Sequence, residues 1–224
     1  MRIATILATA AVIAVPAVAD HHMDASEEQA ATQLAPMVMT TPIAAEAPGQ
    51  RDTSAVTGGD YQIDAAHTTA TFTVDHLGFS SYTGQFGNPS GTLTLDMADL
   101  ANSSVSVSFP VSSVSTTSDQ LDQHLQTDDF FNAAEYPEVT FTSTDVVVDG
   151  ENAAIRGDLT IRDVTKSVVL QTEFYGAGTN PMSSKENVGF RAVTSIVRSD
   201  FGMDYAVPGV SDEVLLVIDA AFTK

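Results

Sequence analysis

The chain has 224 residues, of which 43% are hydrophobic and 17% charged, enough apolar material for a buried core. Nine Lys plus Arg stand against 29 Asp plus Glu, a formal charge of −20, which repels nucleic-acid phosphates and anionic membrane surfaces alike. Cys is absent, so disulfides, thiolate metal sites and cysteine nucleophiles are excluded.

Met1-Arg2 is followed by a charge-free run, Ile3 to Ala19, that closes on Ala17-Val18-Ala19. Small residues at those two alanines form the A-x-A pattern of a signal-peptidase site. Residues 1–19 therefore read as a signal peptide, with the periplasm as destination. The run is short and weakly hydrophobic for a bilayer anchor, so the mature protein is expected to be soluble rather than membrane-spanning. Residues 20–59 lack any aromatic side chain and are broken by Pro36, Pro42 and Pro48. They read as a disordered, acidic Ala/Pro/Thr-rich linker. All 11 Phe and all 5 Tyr lie at Tyr61 or later, placing the folded domain at residues 60–224.

Within that domain the dominant period is two, the signature of half-buried strands. Ala70, Phe72, Val74 and His76 alternate with Thr69, Thr71, Thr73 and Asp75. The rhythm returns at Leu93–Leu95, Val105–Phe109, Val139–Thr142, Ile155–Ile161 and Val168–Phe174. Turns are expected at Gly87-Asn88-Pro89, at Asp149-Gly150-Glu151-Asn152 and over Gly176–Pro181. Val214 to Ile218 is continuously apolar and reads as a strand covered on both faces. Eight to ten such strands imply an all-β, antiparallel sandwich or barrel. One helix interrupts them: Thr117-Ser118-Asp119-Gln120 has capping-box spacing, and Leu121, His124 and Leu125 then share one face. Such an insert either lids one end of a barrel or runs over its surface.

Several stretches together resemble the YceI-like family of secreted bacterial proteins. They are Asp64-Ala65-Ala66-His67-Thr68, Phe72-Thr73-Val74-Asp75-His76 with Gly84-Gln85-Phe86, and His124-Leu125 with Asp129-Phe130-Phe131-Asn132 and Tyr136-Pro137. Phe141-Thr142-Ser143-Thr144, Gly157–Arg162 with Val164-Thr165-Lys166, Arg198–Gly202 and Val210-Ser211-Asp212 complete the series. No single piece is specific, but their order and spacing are. The resemblance implies a lipocalin-like antiparallel β-barrel with a short helical insert and an elongated apolar interior. It further implies binding of long-chain isoprenoid lipids, such as polyprenyl phosphates or quinones, or of other long-chain amphiphiles. It brings no catalytic residues and no cofactor.

Phe72, Val74, Phe174, Phe190 and Phe201 are expected to line such a tunnel, although aromatic residues in strands are also ordinary core. His76 is in phase with Phe72 and Val74, either as a donor to a quinone carbonyl or phosphate oxygen or as a buried structural histidine. Arg198 would meet a headgroup or pair with a nearby carboxylate. The leading expectation is thus a non-enzymatic periplasmic carrier; no nucleophile–base motif is present. One alternative is copper or nickel handling: cleavage after Ala19 would expose Asp20-His21-His22, a set suited to square-planar Cu(II) or Ni(II). A stress-protective, non-catalytic role is another. The oligomeric state, a dimer included, is not encoded in these patterns.

Overall fold

The computed structural model describes residues 42–224. The expected signal peptide and Asp20, His21 and His22 lie outside the described residues, as does the first half of the expected linker. Ten strands follow one another: β1 Gly59–Ile63, β2 Thr69–His76, β3 Ser80–Phe86, β4 Ser90–Leu95, β5 Ser104–Pro110, β6 Glu138–Asp149, β7 Asn152–Ile161, β8 Val164–Thr179, β9 Glu186–Val197 and β10 Glu213–Thr223. A short helix, α1, spans Asp119–Leu125.

Every pairing is antiparallel, and the order β1-β4-β5-β6-β7-β8-β9-β10 closes on itself. Closure is made by Gln62 opposite Thr223 and Ile63 opposite Phe222. The result is an eight-strand barrel, which leaves no open sheet edge around the ring. The hairpin β2–β3 continues the barrel wall, since Thr69–Thr73 pair with Asp219–Leu215 further along β10. Between β1 and β2 the ladder breaks, and Thr68 mends it. Its buried hydroxyl donates to the Ala221 carbonyl at 3.2 Å and accepts from the Ala221 amide at 3.0 Å.

Along β3 the wall opens, because β5 pairs with β4 and β6 but not with β3. The insert between β5 and β6 fills that gap. Gln85 of β3 exchanges two 2.9 Å backbone hydrogen bonds with Ser115. Phe86, Phe109, Val114 and Leu125 then form a cluster with Leu121, Phe130 and Phe131 around it. The helix is capped by Ser118, whose hydroxyl accepts from the Leu121 amide. The capping-box assignment to Thr117 and Gln120 is therefore one residue early. The three-residue face Leu121, His124 and Leu125 does turn inward, so the insert is a lid.

Three other expectations change. The turn at Gly176–Pro181 starts late: β8 runs through Thr179, and the chain reverses over Asn180–Lys185. Gly176 and Gly178 serve close approach instead of a turn. A Cβ at Gly178 would collide with the Pro48 carbonyl, and one at Gly176 would lie 3.1 Å from that of Gln50. That approach also corrects the linker boundary at residue 59. Gln50 and Ala177 exchange backbone hydrogen bonds of 3.0 and 2.9 Å, and Arg51 pairs with Glu173 at 2.5 Å. The absence of aromatics hid this, because the strap docks through backbone hydrogen bonds, small side chains and the single Arg51–Glu173 pair. Lastly, β10 is not covered on both faces, for Leu215 is 38% exposed while Val214 is buried. A barrel wall has one inner face, so half of an apolar strand meets solvent.

Candidate functional site

The inward residues of the strands enclose two adjoining cavities. The wider, about 670 Å³, lies under the lid. Its walls include Ala70, Phe72, Val74, Leu159, Val168 and Leu216, with Leu121, Leu125, Phe130 and Phe131 from the insert. The narrower, about 200 Å³, lies toward the barrel end where β1 begins. Leu93, Leu95, Val105, Ile155, Phe174 and Phe190 line it. Val107, Phe109, Phe141, Leu170 and Ile218 face both. Cavities of several hundred Å³ with apolar walls and a few polar groups at one end are the usual form of small-ligand sites.

The wide cavity opens at a rim where His76, Tyr205 and Ala206 are exposed. His124 lies between two aromatic rings there, 5.1 Å from both Phe130 and Tyr205. Its Nε2 is 2.7 Å from an Asp129 carboxylate oxygen. Tyr82 and Ser118 complete the polar side. Beside the rim, the β2–β3 tip is pinned by Leu77 N–H to the Gly209 carbonyl at 2.7 Å. It exposes 87% of Phe79 and 54% of Leu77.

Of the residues anticipated as ligand contacts, Phe72 and Val74 line the wide cavity and Phe174 and Phe190 the narrow one. His76 stands at the rim, exposed, and is neither buried nor deep in the tunnel. Phe201 lines neither cavity. It is 2% exposed in a packed cluster with Phe141, Ile161, Ile196 and Met203, because a 3-10 turn, Arg198–Phe201, carries it beyond the strand phase of β9.

Arg198 also departs from expectation. Its guanidinium is buried and donates to four backbone carbonyls: Ser211 at 2.9 Å, Met203 at 2.7 Å, Tyr205 at 2.9 Å and Val210 at 3.0 Å. Burial pushes its pKa down, opposed by the charges of Asp212 and Asp204. Those bonds staple the segment between β9 and β10. They occupy the fork that a headgroup would need. Neighbouring Asp212 accepts from the Ser199 amide at 2.8 Å and hydroxyl at 2.6 Å, and these bonds hold its carboxyl below the usual range.

Sequence reasoning missed the five shared residues, and it read His124 only as one of a helix face with Leu121 and Leu125. Alternation marks which side chains point inward, but not at which height the interior is filled. Among the described residues no group of three or more His, Cys, Asp or Glu is arranged to hold a metal ion.

A YceI-like domain family model matches residues 61–222. The chain belongs to the YceI-like family. It is 40% identical over 161 residues to Protein YceI of Escherichia coli O17:K52:H18, covering 71% of this chain and 84% of that one. The crystal structure of the Campylobacter jejuni YCEI protein superposes with a TM-score of 0.60 at 34% identity, over 67% and 89% of the two chains. A polyisoprenoid binding domain from Saccharophagus degradans, implicated in plant cell wall breakdown, matches with a TM-score of 0.53. At 16% identity over 73% and 97% of the chains, that likeness establishes the shared barrel fold. No helix among the described residues is long and apolar enough to cross a membrane.

Proposed function

We propose that this YceI-like protein is a periplasmic carrier that binds a long-chain isoprenoid with an uncharged head, such as a quinone, and releases it unchanged. The periplasmic address rests on the charge-free run Ile3 to Ala19 and its A-x-A end. The polyisoprenoid-binding neighbour supports the ligand class. One observation carries the choice of head: among the described residues Arg198 is the sole Lys or Arg lining the two cavities, and its donors go to main-chain carbonyls. A phosphate moved to such a rim loses hydration without a cation to replace it. A quinone carbonyl asks only for one neutral donor, and Tyr82, Ser118, His124 and Tyr205 surround the entrance.

Affinity comes from partition. At about 0.8 kcal/mol per buried CH₂, roughly ten chain carbons supply the ~8 kcal/mol of micromolar binding, before ordering costs. The deciding experiment is native mass spectrometry with solvent extraction of protein purified from its own periplasm, followed by loading with a prenylquinone or a polyprenyl phosphate. The expected result is a co-purifying neutral prenyl lipid and preferential quinone loading. A protein that emerges without lipid and takes up neither compound refutes the reading; preference for the phosphate refutes the choice of head.

A further inference from the structure

We infer that the constriction shared by the two cavities is a gauge that selects isoprenoid chain length, with Phe141 and Ile218 as its jaws. The inference rests on the carrier reading above and names a property that reading leaves open. Counting round the closed ring from β1, β6 is the fourth strand and β10 the eighth, so Phe141 and Ile218 face each other across the barrel. Val107 and Phe109 of β5 and Leu170 of β8 fill the arcs between them. A chain entering at the His76–Tyr205 rim fills the wide cavity first and must pass this level to use the narrow one.

The jaws are held differently. Phe141 lies across Gly157 of β7, so close that a Cβ at 157 would collide with the ring. Glycine at 157 thus seats the ring against the wall and fixes its height. Phe72 has the same relation to Gly84 in the wide cavity. Ile218, by contrast, has alanine on both flanks, pairing with Ala70 of β2 and Ala192 of β9. A larger side chain at 218 therefore has lateral room at its base and grows into the lumen.

The test is a titration of prenylated benzoquinones of increasing isoprene number against the parent protein, Ile218→Phe and Phe141→Leu. Binding is read by native mass spectrometry, and folding by circular-dichroism melting. In the parent, affinity should rise with chain length past the point where the wide cavity is filled, since each further buried CH₂ is worth about fourfold. Ile218→Phe should move the plateau to shorter chains, with the longest ligands weakened about tenfold or more and the shortest unchanged within about twofold. Phe141→Leu should move the plateau the other way. If Ile218→Phe does not fold, the direction of the Phe141→Leu shift decides alone. Folded variants with the parent's plateau overturn the gauge and leave the carrier intact. A parent that binds no member of the series overturns the carrier reading, and the gauge with it.

Discussion

Replacing Arg198 with Lys or Met separates a structural from a ligand-binding role for the arginine in the wall of the wide cavity. Four N–H donors reach four carbonyls at 2.7–3.0 Å from a side chain in a residue only 5% exposed. Hydrogen bonds to a charged group are worth about 1.5–3 kcal/mol each, and they are not additive when one group makes several. The Ser211, Tyr205 and Val210 carbonyls lie near the surface and regain water, which reduces the loss. Removing the fork is expected to cost about 3–5 kcal/mol, the range for stripping one partner from a buried charged network. Lysine should recover little of it, since one ammonium cannot span four acceptors set around a planar fork. For a domain of this size about 2–4 °C per kcal/mol applies, so both variants should melt roughly 6–20 °C below the parent. Hydrogen exchange should localise the loosening to residues 199–212. A variant that melts within about 2 °C of the parent yet loses bound lipid would refute the staple and restore Arg198 as a headgroup contact.

Val74 lines the wide cavity, so Val74→Phe should cost under about 1 kcal/mol and block prenyl-lipid uptake. A loss of about 1–3 kcal/mol, as in a filled core, would show that the cavity is packed. The outward control Thr73→Val, beside Thr83 on the solvent face, should move stability by no more than about 0.5 kcal/mol. Gly178→Val should lift the strap off β8, abolish the two Gln50–Ala177 hydrogen bonds and lower stability by about 1–3 kcal/mol; unchanged exchange at the Gln50 amide would refute this. Asp212 is held below its ordinary pKa by hydrogen bonds from Ser199. Its contribution is full above the unfolded-state pKa near ~3.9 and is lost as pH falls through the lowered folded value. Asp212→Asn should therefore flatten the acid limb of a melting-temperature profile below about pH 4, and an unaltered limb would count against that coupling.

Where alternation reports a local property, it was sufficient. Phe72, Val74, Phe174 and Phe190 face the interior because successive side chains of a strand point to opposite faces, and the same parity brings Leu93, Val105, Ile155 and Leu170 inward. The helix face Leu121, His124 and Leu125 was legible for the equivalent reason at period 3.6. Failures came where backbone leaves the regular phase. Phe201 sits on a 3-10 turn that rotates it out of the β9 register, and the strap at residues 42–58 is held by main-chain bonds that no side-chain pattern announces.

The alternating runs at β2 and at β4 to β8, their inward parity and the helical insert were thus determined by the sequence alone, since they follow from periodicity and turn chemistry between near neighbours. Barrel closure depends on Gln62 and Ile63 meeting Thr223 and Phe222, some 160 residues away. The constriction depends on which inward residues share one height, a matter of strand stagger across β5, β6, β8 and β10. The use of Arg198 depends on a loop folding back over it. These are relations between distant segments, and only the tertiary structure, by fixing register around a closed ring, decides them.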